Sequence, residues 1–274
     1  MKKGCLLFCI AFLGIYLGFG HGQRPHGTSA RPLKDTVNAT KYIGMGVSDD
    51  SFYLHTPIEA DSFISQAIYG RYRRAYHIQM DTNPKRIGVI DSSFTIRTSE
   101  ALLKYPTEKT INWTYPNAQG KWFGIYRGFQ KDLNLYFVHS IGISEFEIGE
   151  SEIIDVAANI KYLALTFSDG GFGPLPLVSP HHKYIAYYDN IVGNSVDDLP
   201  EIEVVIVKVS TNDHQNRFTQ YVGIKRQNWT IKDLVWVGDT ALAMRIDPDA
   251  KNTTFLEGRP SRDTNAYVRV SLPR

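Results

Sequence analysis

Three stretches of the chain share one order of apolar and polar positions. Each has a polar turn, a strand in which apolar and polar positions alternate, and a later apolar strand. A period of two predicts β-strands, and the turn residues between them predict antiparallel pairing. The alternating strands are Trp122–Tyr126, Tyr184–Tyr188 and Ala241–Met244, and the later strands are Leu133–Val138, Val204–Val209 and Tyr267–Val270.

Repeated strand pairs predict sheets that bury one another's faces, as the blades of a β-propeller do. In the second and third repeats, the alternating strand should pair with the later apolar strand. A gapless alignment of these repeats places Ile185 over Leu242 and Tyr187 over Met244. The same side of each strand should therefore face a neighbouring sheet.

One helix is predicted near the start of the folded part. Thr56 and Glu59 can form a capping box with Pro57 between them, apolar residues follow at helical spacing, and Gly70 supplies a stop. The predicted helix covers residues 57–69 and packs one face on a sheet. The basic residues after it either stabilise the negative end of the helix dipole or form a patch for an acidic ligand. These residues are Arg71, Arg73 and Arg74.

The first residues have the pattern of an export signal. Met1–Lys3 is basic and Cys5–Leu17 is almost wholly apolar. We expect a signal peptide over 1–22, a flexible leader over 23–40 and a β-rich domain over 41–274. Cleavage would leave a chain with no membrane span and no cysteine, because both cysteines lie in the signal; an uncleaved anchor is the alternative. The expected location is secreted or periplasmic.

Charge and motifs narrow the function classes. The 30 basic and 28 acidic residues nearly balance, which disfavours nucleic acid as a partner. The chain has no phosphate loop, dinucleotide fingerprint, nucleophile elbow or His-x-x-x-His pair, so we predict no cofactor and no metal site. His181 and His182 are ligand-binding candidates. Because adjacent side chains point in different directions, they rarely bind one ion together, and a solvated turn is the favoured interpretation.

Some residues could carry a catalytic or stacking role. If the strands converge on one mouth, Asp169, Asp189 and His139 would form either a metal site or an acid/base pair, although turn capping also explains both aspartates. The four tryptophans could stack on sugars if exposed. We expect burial between sheets for Trp122 and Trp236.

A family resemblance supports the repeat. The stretch Ser179-Pro180-His181-His182-Lys183-Tyr184-Ile185-Ala186-Tyr187 resembles the Ser-Pro-Asp-Gly-Lys-Tyr-Ile-Ala-Tyr element of TolB-like β-propellers. Residues 116–126 are similar and keep a Gly-Lys pair, and Trp236 stands where such blades often begin with tryptophan. The resemblance covers residues 113–272. It implies stacked blades but no single function, because such blades occur in enzymes, transport components and binding scaffolds.

Together these patterns predict a mainly β fold of propeller-like stacked antiparallel blades with one N-terminal amphipathic helix. An open β-rich meander or sandwich with one packed helix is the structural alternative. The predicted function is a binding or interaction module for a protein or carbohydrate ligand. The alternative is a carbohydrate-active hydrolase or lyase, which clustering of Asp169, Asp189 and His139 would favour.

Overall fold

The described part of the chain is mainly β-structure, as the alternating pattern predicts. The computed structural model describes residues 33–43, 60–76, 86–111, 120–143, 148–168, 176–188, 202–213, 216–225, 229–248 and 265–273. The helix α1 is Gln66–Tyr76, and Glu108–Thr110 forms a 3-10 turn. The strands are β1 (Ala39–Tyr42), β2 (Ala60–Phe63), β3 (Ile87–Ile90), β4 (Ser93–Arg97), β5 (Leu102–Pro106), β6 (Trp122–Gln130), β7 (Leu135–Gly142), β8 (Ile148–Asp155), β9 (Ile160–Ser168), β10 (Leu177–Val178), β11 (Tyr184–Tyr188), β12 (Ile202–Val209), β13 (Phe218–Lys225), β14 (Thr230–Val237), β15 (Ala241–Asp247) and β16 (Ala266–Ser271).

These strands form four sheets, and apart from β1 and β2 each sheet is built from consecutive strands of the chain. The first sheet is β3-β4-β5, and the second is β1-β9-β8-β7-β6, in which β1 runs parallel to β9. The third sheet is β10-β11-β12-β13, and the fourth is β14-β15-β16-β2. The other pairs are antiparallel. The predicted pairing of the second and third repeats is confirmed, because β11 pairs with β12 and β15 pairs with β16.

Three apolar cores join each sheet to the next. One core contains residues of the first and second sheets, another of the second and third, and another of the third and fourth. Burying an apolar face between two sheets removes both surfaces from water and stabilises the stack. Representative members, in the same order, are Phe94 with Tyr136, Phe137 with Tyr187, and Tyr188 with Met244.

The alignment of the second and third repeats predicts the buried side of each strand correctly. Ile185 and Tyr187 belong to the core shared with the second sheet, and Leu242 and Met244 belong to the core shared with the third sheet. In both repeats, the aligned residues therefore face the preceding sheet. The opposite side of β11 supplies the contact with the fourth sheet.

The first repeat was assigned to the wrong strand. The polar turn at Gly120-Lys121 equates Trp122–Tyr126 with β11, but Trp122 begins β6, the first strand of its meander, whereas β11 is the second strand of the third sheet. In the second sheet, the turn equivalent to residues 179–183 of the third sheet is instead the β6–β7 turn, residues 131–134. Gly120 does lie in a turn, with φ of 75°, but that turn precedes the meander and does not join its first two strands. Residues 112–119 lie outside the described ranges.

An early strand completes the last sheet. β2 pairs with β16, with Ser62 opposite Arg269 and Phe63 opposite Val268. This pairing joins parts of the chain about 200 residues apart and ties the fourth sheet to the start of the folded part. No closed ring or barrel of sheets is found among the described residues.

The predicted helix bounds were wrong. Residues 60–63 form β2, the helix runs from Gln66 to Tyr76, and residues 57–59 are not among those described. The helix starts after Ser65, whose Oγ accepts a hydrogen bond from the backbone N–H of Ile68 at 3.3 Å. Gly70 lies inside the helix. Tyr69 packs with residues of β14 and β15, so α1 covers the outer face of the fourth sheet, as one-sided packing predicts.

The folded unit begins earlier than the predicted boundary at residue 41. Leu33–Arg274 forms one compact unit, Lys34 makes a parallel bridge with Ala101, and β1 begins at Ala39. The end of the expected leader therefore belongs to the folded unit. The predicted signal segment lies outside the described ranges. No helix among the described residues is long and apolar enough to cross a membrane.

Candidate functional site

A small polar cavity is lined by residues of the second and third sheets. His139 on β7 lies opposite Ser151 on β8, and Arg127 occupies the irregularity in the pairing of β6 with β7. Tyr187 on β11 closes the cavity from the third sheet. The volume is about 10 Å³, which suits about one water molecule. The lining is completed by Phe137, Val138, Glu152 and Pro176.

Burial controls the electrostatics of this cavity. His139 is 2% exposed, and burial, together with the positive charge of Arg127, lowers its pKa from 6.5 to about 4. The imidazole is therefore neutral at pH 7. Burial also raises the pKa of the Tyr187 hydroxyl, which has no hydrogen-bond partner among the described residues. The cavity can hold an ordered water but not a sugar ring.

Of the three residues predicted to act together, His139, Asp169 and Asp189, His139 lies in the described part of the chain and lines this cavity. Both aspartates lie outside the described residues, so their approach to the histidine stays a prediction. His139 itself lies within a sheet and faces the next sheet. This position differs from the open mouth that the enzyme hypothesis requires.

A second polar cluster, which the sequence analysis missed, is centred on Glu152. Its carboxylate accepts hydrogen bonds from the Tyr105 hydroxyl at 2.8 Å and the Ser140 hydroxyl at 2.7 Å, and from the Lys161 ammonium at 3.3 Å. Glu152 is 3% exposed. Burial and the Glu152 charge raise the pKa of Tyr105, and burial with the same charge raises that of Glu150.

This cluster connects the first and second sheets. The Glu152 oxygens are satisfied by three donors, which is the arrangement of a structural carboxylate and not of a general base. One sequence signal could have found it: two glutamates alternate with small and apolar residues in Gly149–Ile154. Charged residues at alternate positions of a strand indicate a buried polar partner when both faces are covered.

The predicted histidine pair lies in the β10–β11 turn. The His181 ring contacts Asp239 of the fourth sheet, and the His182 ring contacts Asp132 of the second sheet. The rings therefore reach different partners, as the sequence predicts for adjacent residues. No group of three or more metal-ligating side chains is found in the part of the chain that the structure describes.

The predicted basic patch lies on α1. The Arg73 guanidinium forms an ion pair with the Asp233 carboxylate of β14 at 2.8 Å, so Arg73 attaches the helix to the fourth sheet. Arg71 and Arg74 are exposed. Arg73 and Arg74 lie in the last turn of the helix, where positive charge is stabilised by the helix dipole.

The burial prediction is confirmed for one tryptophan and wrong for another. Trp236 is 1% exposed, whereas Trp122 is 44% exposed. Trp122 begins the edge strand β6, and its ring lies over Gly142 of β7. A Cβ atom at Gly142 would lie 2.7 Å from the indole ring. Trp122 therefore presents a large aromatic surface to solvent while it covers backbone.

Comparison of the chain with models of known families, with curated proteins and with solved structures gives no significant match.

Proposed function

We propose that this chain is a secreted or periplasmic interaction module of the TolB-like propeller type, which binds a protein or carbohydrate ligand without transforming it. The observation that carries the proposal is the ordered stack of meander sheets in which β2 completes the fourth sheet. Blades of a propeller are small antiparallel sheets that bury each other's faces in chain order. The three inter-sheet cores support that architecture.

The surroundings of His139 favour binding over catalysis. A general acid or base must come within hydrogen-bond distance of its substrate. His139 is enclosed between two sheets, next to a cavity that holds about one water. Its depressed pKa further disfavours proton donation at neutral pH. The hydrolase or lyase alternative therefore gains no support from the described side chains.

Two exposed features are available to a ligand. Trp122 offers an aromatic surface of the kind on which sugars and protein side chains pack. Arg71 and Arg74 offer positive charge on the outer face of α1. The proposal of export follows from the apolar segment between residues 5 and 17.

A binding assay that also measures turnover tests the proposal. The chain without residues 1–22 would be incubated with immobilised xylan, chitin, cellulose and pectin and with an extracellular protein extract. Saturable binding that leaves polysaccharide length unchanged agrees with an interaction module. Release of new sugar ends that stops in a His139→Ala variant would contradict it and support the hydrolase or lyase.

A further inference from the structure

The polar cavity between the second and third sheets brings several hydrogen-bond donors together. Arg127 supplies a guanidinium group, which can only donate, and Ser151 and Tyr187 each supply a hydroxyl group. The neutral imidazole of His139 carries one further N–H. These side chains come from β6, β7 and β8 of the second sheet and from β11 of the third. The stacking of the two sheets, and not a local motif, therefore assembles the donors.

The Tyr187 hydroxyl is an independent sign that the cavity takes an occupant. Tyr187 is 2% exposed, and its ring belongs to the core that the second and third sheets share. Its hydroxyl has no hydrogen-bond partner among the described residues. Because an unpaired buried hydroxyl destabilises a fold, such groups in native proteins usually bond to protein atoms or to a bound species. An acceptor in the cavity would satisfy this hydroxyl.

The charge of the lining favours an anion over water. Burial lowers the pKa of Arg127, which shows that its positive charge is poorly solvated, and the same charge helps to lower the pKa of His139. A negative occupant beside the guanidinium group would offset that cost. Water must also donate its own hydrogens to acceptors, whereas an anion accepts only.

The carboxylate of the lining is directed away from the cavity. Glu152 accepts a hydrogen bond from the Tyr105 hydroxyl of the first sheet and forms an ion pair with the Lys161 ammonium at 3.3 Å. The carboxylate therefore lies on the face of the second sheet that meets the first sheet. Ser151 precedes Glu152 on β8, so its side chain projects from the opposite face, towards the third sheet. The Glu152 charge thus leaves the donor cluster available to an anion.

The size of the cavity selects a monatomic ion. Its volume of about 10 Å³ suits about one water molecule, and a halide ion is close to water in size. Phosphate, sulfate and carboxylate groups contain several heavy atoms and do not fit. We propose that the cavity lined by Arg127, Ser151 and Tyr187 is a chloride-binding site that links the second and third sheets. The site lies inside the stack and is separate from the ligand-binding surface proposed above.

Replacing sodium gluconate with sodium chloride at constant ionic strength tests the site. Gluconate is too large for the cavity, and charge screening is the same in both salts. The free energy of unfolding is measured with urea at pH 7, where His139 is neutral. An ion that binds only the folded chain raises the folding constant, so a site half filled at about 100 mM chloride would give about a fourfold rise at about 300 mM. A folding constant that does not rise with chloride would overturn the proposal.

Two tyrosine variants separate the site from general salt effects. Tyr187→Phe removes the unpaired hydroxyl but keeps the ring, and it should abolish the chloride-dependent rise. Tyr136→Phe is the matched control, because its buried hydroxyl donates to the Arg86 carbonyl and its ring belongs to the core shared with the first sheet. This control should keep the full rise. An equal rise in the native chain and in Tyr187→Phe would contradict a chloride site at this hydroxyl.

A crystal of the native chain gives a second test that needs no variant. Bromide is chemically similar to chloride and scatters X-rays anomalously. Soaking the crystal in sodium bromide should give an anomalous peak in the cavity, within hydrogen-bond distance of the Tyr187 hydroxyl. An ordered water at that position with no bromide signal would overturn the proposal.

Discussion

Replacing Trp236 with alanine tests the stacking of the third and fourth sheets most sharply. The indole is 1% exposed, lies stacked on Tyr184 with ring centroids 6.0 Å apart, and donates its N–H to the Leu177 carbonyl at 2.8 Å. Burial of about 200 Å² at about 25 cal/mol per Å² corresponds to about 5 kcal/mol. Measured losses for large aromatic residues in cores are about 3–5 kcal/mol. We expect a loss in that range for Trp236→Ala.

Trp122→Ala is the matched control, because it removes the same side chain from an exposed edge. With 44% of Trp122 already exposed and no enclosed cavity to leave behind, we expect a loss of at most about 2 kcal/mol. The assay is urea unfolding followed by circular dichroism, which does not depend on the tryptophan removed. A smaller loss for Trp236→Ala than for Trp122→Ala would refute the assignment of Trp236 to an inter-sheet core.

Three further predictions concern buried groups. Arg217→Met removes the charged partner of the buried Asp155 carboxylate and should lower the free energy of unfolding, measured with urea, by about 3–5 kcal/mol. Adding Asp155→Asn removes the unpaired charge but keeps an oxygen for the backbone N–H groups of Ala157 and Ala158, so it should recover part of that loss, and no recovery would argue against the ion pair. The pKa of His139 is depressed to about 4, so the stability that its neutral form contributes should be fully present above pH 6.5 and should fall by about 3 kcal/mol as the pH drops towards 4. A His139→Gln variant that retains this fall would contradict the depressed pKa of His139. Gly142→Ala should lower stability by about 1–3 kcal/mol by displacing the Trp122 ring, and equal loss in a Trp122→Ala background would exclude that cause.

Local patterns predicted much of the sheet structure. Alternating apolar residues and turn signals located β11 and β15, and the alignment of their repeats predicted which side faces the preceding sheet. Such features depend on neighbours within about ten residues. Strand β5 was missed because Lys104 and Pro106 interrupt its apolar pattern, although it pairs with β4 along its whole length.

Long-range pairing explains the largest error. The capping signal at Thr56 is sound locally, but residues 60–63 pair with β16 instead, and the helix starts after Ser65. A strand partner about 200 residues away is invisible to helical periodicity. Trp122 was misplaced for a related reason, since its local pattern is that of a core strand but β6 lies at a sheet edge.

The candidate site was only partly accessible to sequence reasoning. His181 and His182 were identified as a turn pair, but their aspartate partners belong to other sheets, 49 residues before His181 and 58 after it. The Glu152 cluster likewise depends on Tyr105 from the first sheet. Predicting such contacts requires knowing which sheets are neighbours and in what register they stack.

The pairing of β2 with β16 tests the central architectural claim most directly. Opposite residues in antiparallel strands have Cα atoms about 4.5–5.5 Å apart, which is within the range that a disulfide bridges. The measurement uses a Ser62→Cys, Arg269→Cys variant made without residues 1–22, which contain both native cysteines. Peptide mass spectrometry of the oxidised protein should find a 62–269 disulfide, whereas a Ser62→Cys, Arg245→Cys control should stay reduced because β16 separates β2 from β15. A folded protein that forms the 62–245 bond, or that leaves the 62–269 pair reduced, would contradict the closing of the fourth sheet by β2.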